Sequence, residues 1–501
     1  MSAKAKILAK GSVLRMIEFF AIAFVTLAMT PFIIHSLGDA MFGLWTFIGS
    51  FLGYYGLMDF GLNSAIQRFL SRAIGSSNNG EANKIINTAL ALFTILGLLT
   101  LFFSFIVAFG LPLLIKNIIE VNLFRTIILI LGMNFAIGFP LRVFSGILFA
   151  NIRYDLSTAV ELVKLAVRTL LIIIFLKNEC GIISLAVITF VIDIIGYVSK
   201  YFIVRHLYQY LVFSRKLIDR SLVKPLFGYS VYTFISQIAD QLRFNIDNLV
   251  ITMFIGLSSV TLYSIASRLV GYFMQFMMSA IGMLAPLFSQ YEASGNYDSI
   301  RDKFIFTTKI SGYLSIMVGG TLIIFGKAFI QRWVGIEYTN AYPILLILVI
   351  PIILALMQSP SIQLLYGISK HRFFAISNSV EGVANLVLSL ILVRKYGLIG
   401  VALGTAIPMV IIKLFVQPVY TCRVIKLSIK KYYLEVLGPA ILNSGVILIL
   451  LWFMVKNLIT ADYFKLSALI SVVFVMFTLC VFFLGFKEFE RNYFKKLRSN
   501  V

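Results

Sequence analysis

Charge is scarce in this chain. Only 13% of its 501 residues are charged, 60% are hydrophobic, and mean hydropathy is +0.96. A soluble chain of this length carries about twice that share of charge, so a soluble globular protein is excluded. No polar block is long enough to fold as a separate soluble domain. Cysteine and histidine are almost absent. Cys180, Cys422 and Cys480, like His35, His206 and His371, lie far apart, which excludes a disulfide framework and argues against a zinc site. No Walker motif occurs, so ATP is not the energy source. Acidic residues are also few, 21 against 43 basic ones, leaving a net charge of +22. That excess does not mark a nucleic-acid binder. The basic residues sit in short loops between apolar runs instead of on one amphipathic face, which is the pattern of membrane orientation.

What is present is a succession of apolar runs, each long enough to cross about 30 Å of hydrocarbon. The pattern predicts about fourteen transmembrane helices. The first seven are 13–35, 42–67, 86–108, 123–141, 156–177, 183–206 and 227–254. The others are 261–288, 306–326, 343–366, 376–394, 398–421, 438–456 and 464–486. The basic stretch Met1 to Lys10 precedes an apolar run too long for a signal peptide, so the first helix is expected to be retained. One set of alternate loops is rich in Lys and Arg (Lys4, Arg68, Arg142, Arg215, Lys224, Arg301, Arg372, Lys430), and the other is poor. Positive-inside counting therefore places both termini in the cytoplasm of a bacterial inner membrane.

The chain also repeats. Ile74-Gly75-Ser76-Ser77-Asn78-Asn79-Gly80-Glu81 resembles Ala293-Ser294-Gly295-Asn296-Tyr297-Asp298, and Leu148-Phe149-Ala150-Asn151 resembles Leu365-Tyr366-Gly367-Ile368. Gly181-Ile182-Ile183-Ser184-Leu185-Ala186 resembles Gly397-Leu398-Ile399-Gly400-Val401-Ala402, and all three pairs lie roughly 216–220 residues apart. Six spans per unit make the repeat parallel. The expected all-α architecture is a six-helix lobe (1–220), a second six-helix lobe (221–430), and two extra helices with a basic tail (431–501). Substrate is expected near mid-membrane between two rocking lobes.

The opening carries a family likeness. Pro31 to Trp45 contains Leu37-Gly38-Asp39-Ala40-Met41-Phe42-Gly43, followed by Asp59-Phe60-Gly61. Together with Asp247-Asn248-Leu249-Val250-Ile251 and Leu262-Tyr263-Ser264-Ile265-Ala266-Ser267-Arg268-Leu269, it resembles the O-antigen-type polysaccharide flippases. These belong to the multidrug/oligosaccharidyl-lipid/polysaccharide exporter superfamily. The resemblance implies a non-enzymatic flippase that moves polyprenyl-diphosphate-linked oligosaccharide to the outer leaflet for surface polysaccharide synthesis. Membrane lipids, polysaccharide polymerases and glycosyltransferases are the partners it implies. A multidrug-type cation antiporter shares the two-lobed plan but favours an acidic cavity. A membrane polymerase needs a long exterior loop, and the longest here is about 16 residues, Lys327 to Tyr342.

Ionised side chains inside spans cost about 2.5–3.5 kcal/mol each on insertion scales, so each must face protein or water. Glu161, Lys164 and Arg168 share one helix face, as do Asp240, Arg243 and Asp247. Adjacent pairs such as Glu161 with Lys164 and Asp240 with Arg243 read as ties between helices. Arg168 lies roughly 18 Å into its span and, like Arg268, has no same-face acid in plain view. With the resemblance taken into account, Arg15, Arg68, Arg168, Arg268 and Lys413 are the candidate substrate-binding cations, because guanidinium binds phosphate bidentately. Glu18, Asp59, Asp193, Asp240 and Asp247 are the ion-coupling candidates. No cofactor or metal is expected; proton coupling, sodium coupling and the membrane potential remain three open driving forces.

Overall fold

The computed structural model describes residues 3–486 other than 76–77, 111–117, 152, 229–233, 235–236, 239–240, 242–244, 282–283, 285–287, 289–290, 293–294, 369, 371 and 460–461. Side chains are described at these residues except 3–13, 15–16, 52, 64, 68, 75, 118–120 and 279–280. The Arg15 and Arg68 side chains, Asp240, Arg243 and the basic tail thus lie outside the described residues.

All regular structure among the described residues is helical. Nine helical stretches there are long and apolar enough to cross a membrane, and Arg372–Val424 alone contains two of the spans read from the sequence. The chain packs as two units, Met1–Gln241 with Ile255–Thr261, and Leu242–Phe254 with Leu262–Val501.

The first unit contains α1 (Ala3–Leu37), α2 (Asp39–Leu57), α3 (Leu62–Gly75), α4 (Asn79–Gly110), α5 (Ile118–Ala150), α6 (Tyr154–Lys177) and α7 (Gly181–Leu207). One helix expected across 42–67 is in fact two. Phe60 and Gly61 adopt positive φ, and the Asp59 carboxylate accepts from the Gly61 amide at 2.7 Å, closing a turn that the apolar pattern does not reveal. Large side chains such as Phe24, Leu98, Phe102 and Phe202 are exposed, as lipid-facing residues must be. The packed interior is built from Leu62, Ile66 and Leu70 of α3, Ile85 and Phe93 of α4, and Phe139 and Ile147 of α5. Hydrocarbon solvates an apolar face as well as a neighbouring helix does, so close approach and polar contacts must hold these helices together.

After α7 the chain runs along α4 and is held there by side chains that imitate a backbone. Asn83 donates to the Tyr210 carbonyl and accepts from the Val212 amide at 2.9 Å. Asn87, one turn on, donates to the Val212 carbonyl at 2.7 Å and accepts from the Ser214 amide at 2.8 Å. Thr88 accepts from the Asp219 amide at 2.9 Å. Hydrogen bonds from the Ser221 hydroxyl and amide hold the Asp219 carboxyl below its usual range.

The second unit contains α8 (Ile246–Phe254), α9 (Leu257–Ile281), α10 (Tyr297–Trp333), α11 (Ala341–Met357), α12 (Ser359–Gly367), α13 (Arg372–Ile411) and α14 (Gln417–Val424). A π-helical segment, Ile412–Val416, joins α13 to α14. The short α15 (Ile429–Tyr432) leads to α16 (Gly438–Val455) and α17 (Tyr463–Cys480). These last two pack on α10, where a Cβ on Gly320 would lie 2.3 Å from Leu448. The run expected at 343–366 divides at Gln358, with Pro360 opening α12. Because α10 extends to Trp333, the loop expected to be exterior is shorter than the 16-residue stretch read from the sequence. Gly181 and Gly397, paired by the repeat, both adopt positive φ, at 65° and 55°. In each half this glycine turns the chain between two spans at a conformation that costs other residues about 1–2 kcal/mol.

Candidate functional site

The most heavily charged interior among the described residues lies inside the first unit, on α6 and α7. On α6 the three- and four-residue spacing places Glu161, Lys164 and Arg168 in one row. Facing them, α7 contributes Asp193 and Lys200, and α5 adds Asn134 and Ser145. The result is an alternating ladder. Lys200 Nζ lies 2.7 Å from Glu161 Oε1 and 3.1 Å from Ser145 Oγ. Lys164 Nζ lies 2.9 Å from Glu161 Oε2 and 3.0 Å from Asp193 Oδ1. Arg168 donates to the same Asp193 oxygen at 2.5 Å, and Asn134 donates to the other at 2.9 Å. Arg168 therefore does have an acid, one helix away, where no spacing on α6 could reveal it.

Close approach of α6 and α7 makes the ladder possible. A Cβ on Gly196 would sit 2.3 Å from Lys164 Cδ, so this residue's lack of a side chain is what lets the lysine stem cross α7. The Lys164 ammonium also lies 5.6 Å from the Tyr197 ring centre. Gly196→Val should therefore expel Lys164 and cost about 1–3 kcal/mol by overpacking. A lowered thermal midpoint in detergent is the expected reading. An unchanged midpoint would mean that α6 and α7 do not meet as described.

A cavity of about 320 Å³ opens beside the ladder, lined by Glu18, Asn63, Arg142, Ser145, Phe149, Ser157, Thr158, Glu161, Tyr197 and Lys200. Glu18 accepts from the Thr158 hydroxyl at 3.2 Å. Arg142 stacks its guanidinium over Phe135 and Phe139 at 5.1 and 4.8 Å, which holds the group without neutralising it. Two cations, four hydroxyl-bearing residues and an amide share this lining with the carboxylates of Glu18 and Glu161, and the cations and hydroxyls are groups that can bind a polar anion.

The second unit holds two further polar interiors. Lys413 is 1% exposed on the π-helical segment, 2.9 Å from Asn378 Oδ1 and 3.4 Å from Glu381 Oε2, with Glu381 equally buried. The proposed substrate cation thus faces an internal acid instead of a described cavity. Glu381 is an intramembrane acid that the sequence reading missed. Asp247 is 4% exposed. Its Oδ2 accepts from the Tyr263 hydroxyl at 2.5 Å and from Thr405 at 2.8 Å, with Asn385 Oδ1 3.3 Å from the same hydroxyl. Such an all-oxygen set can hold a proton or a small hard cation. Among the described residues no group of three His, Cys, Asp or Glu side chains could hold a metal. Arg268 is partly buried on α9, in the second unit.

Residues 7–292 match the model of a family described as polysaccharide biosynthesis protein. The chain belongs to this family. The putative O-antigen transporter of Shigella flexneri is similar, 21% identical over 423 residues, covering 81% of this chain and 96% of the relative. Among solved structures, an inward-facing multidrug resistance MATE family transporter of the MOP superfamily matches with TM-score 0.72 at 16% identity, covering 81% of this chain and 95% of the other. The lipid II flippase MurJ, in an inward closed conformation, matches with TM-score 0.68 at 17% identity, covering 94% and 97%. The polysaccharide biosynthesis family member described here has the fold of that exporter superfamily. It is a multi-pass membrane protein.

Proposed function

We propose that this family member flips polyprenyl-diphosphate-linked oligosaccharide from the cytoplasmic to the outer leaflet of a bacterial inner membrane, and that the diphosphate enters the cavity of the first unit. The observation that carries the reading is the convergence of Lys200, Arg142 and four hydroxyl-bearing residues, Ser145, Ser157, Thr158 and Tyr197, on a cavity within an otherwise lipid-facing helical lobe. Only the polar head needs shelter, since the polyprenyl tail is at home in hydrocarbon. Family membership and the name of the Shigella flexneri relative support a glycan cargo. Alternation between inward- and outward-open states is the transport cycle of this reading, and Asp247 is its ion-coupling residue.

The MATE likeness keeps a cationic-drug antiporter as the rival, so the test carries both cargoes. Purified protein in liposomes should move a fluorescent polyprenyl-diphosphate sugar between leaflets and leave a cationic dye where it was. Dye transport without sugar-lipid transport would overturn the flippase reading.

A further inference from the structure

We propose that Glu161 is an internal stand-in for the cargo: its carboxylate occupies the cation site on Lys200 and Lys164 until a diphosphate displaces it. The inference rests on the reading of the cavity as the diphosphate site. Three observations carry it. Glu161 gives one oxygen to each ammonium, at 2.7 and 2.9 Å, which is how two oxygens of one phosphate would bridge them. The acid side chain is 33% exposed, while its lysines are 5% and 11% exposed, so the carboxylate is the most open member of the cluster, beside Lys200 on the cavity wall, with Lys164 outside the lining. A purely structural version of such an acid exists in the same chain: in the second unit Glu381 is 1% exposed, sealed against Lys413.

An internal carboxylate solves a physical problem. Without Glu161, Lys200 would keep only the Ser145 hydroxyl and Lys164 would share Asp193 with Arg168, so the excess positive charge would bear a desolvation cost. With Glu161 in place most of that excess is offset, and only a stronger anion can open the site. A diphosphate brings about twice the charge of one carboxylate and spreads its oxygens over two phosphorus atoms, whereas a monophosphate brings similar charge on a single, shorter group. Glu161 is therefore a residue that determines specificity, setting a threshold of charge and reach below which a lipid head is refused. Once displaced, the carboxylate remains nearby to reclaim the lysines and expel the cargo.

Binding of farnesyl diphosphate and farnesyl monophosphate to the full-length protein in detergent tests this. Wild type should prefer the diphosphate strongly. Glu161→Gln removes the competing charge while keeping the shape, and should tighten both ligands by roughly tenfold, the scale of a close charge pair. The gain should be larger for the monophosphate, narrowing the preference. Glu161→Asp, which cannot span both ammonium groups, should move affinity the same way by less and serves if the glutamine variant does not fold. Unchanged or weaker binding in both Glu161 variants, with Lys200→Met also weakened, overturns the stand-in and leaves the cavity reading intact. Full diphosphate affinity in Lys200→Met overturns the cavity reading and the inference with it.

Discussion

Lys200→Met is expected to abolish export of the lipid-linked glycan while the protein still inserts and accumulates. The lysine is 5% exposed, bonded to Glu161 and Ser145, and borders the cavity. Its loss removes one charge-assisted partner of the diphosphate, worth about 1.5–3 kcal/mol, or roughly 10- to 150-fold in rate or affinity. It also leaves Glu161 half-paired beside the cargo, where its charge repels phosphate, so the two effects add in the same direction. Lys200→Arg should recover part of the activity, because the charge returns with a different reach. The measurement is surface glycan per unit of membrane-inserted protein, with the thermal midpoint recorded alongside. Normal export by the methionine variant at normal expression would remove Lys200 from the transport path.

The second large effect is expected at Asp247. A diphosphate moving outward carries about two negative charges down a potential that is negative inside. Each charge is worth roughly 2.3 kcal/mol per 100 mV, so the potential alone can drive export. In proteoliposomes, a valinomycin-imposed potential without pH or sodium gradients should speed outward flipping in wild type. Asp247→Asn keeps an oxygen for the Tyr263 and Thr405 hydroxyls, so packing should survive. The variant should retain the response to potential and lose any acceleration by a proton or sodium gradient. A wild type that ignores the potential and follows a cation gradient would place the driving force on the acid. An asparagine variant that keeps its gradient response would free Asp247 from that role.

The fold was readable because apolar length and loop charge are properties of a single run of sequence. Glu161, Lys164 and Arg168 could be put on one face for the same reason: helical spacing is local. What spacing misses is the partner across a helix interface. Arg168 looked unaccompanied until α7 brought Asp193 to it, and Lys200 went unnoticed although it contacts the acid at the centre of the ladder. Asp59 drew attention as a charge in a span, yet its carboxylate closes the turn that breaks that span. Lys413 and Glu381 are far apart in sequence, and their burial together is a product of packing, not of pattern.

The clasp on α4 bears on how this chain can be edited and how it can drift. Asn83 and Asn87 read only amides and carbonyls of the segment from Tyr210 to Ser214, so the clasp itself sets no side chain there, although Leu211 and Phe213 are tied into the core by packing. What the segment cannot change is its length or its supply of N–H groups: a proline at 212 or 214 removes a donor that an asparagine is waiting for. Homologous sequences aligned here should therefore vary at 210, 212 and 214, stay apolar at 211 and 213, and agree in spacing. An epitope tag meant to leave transport intact does not belong within these five residues.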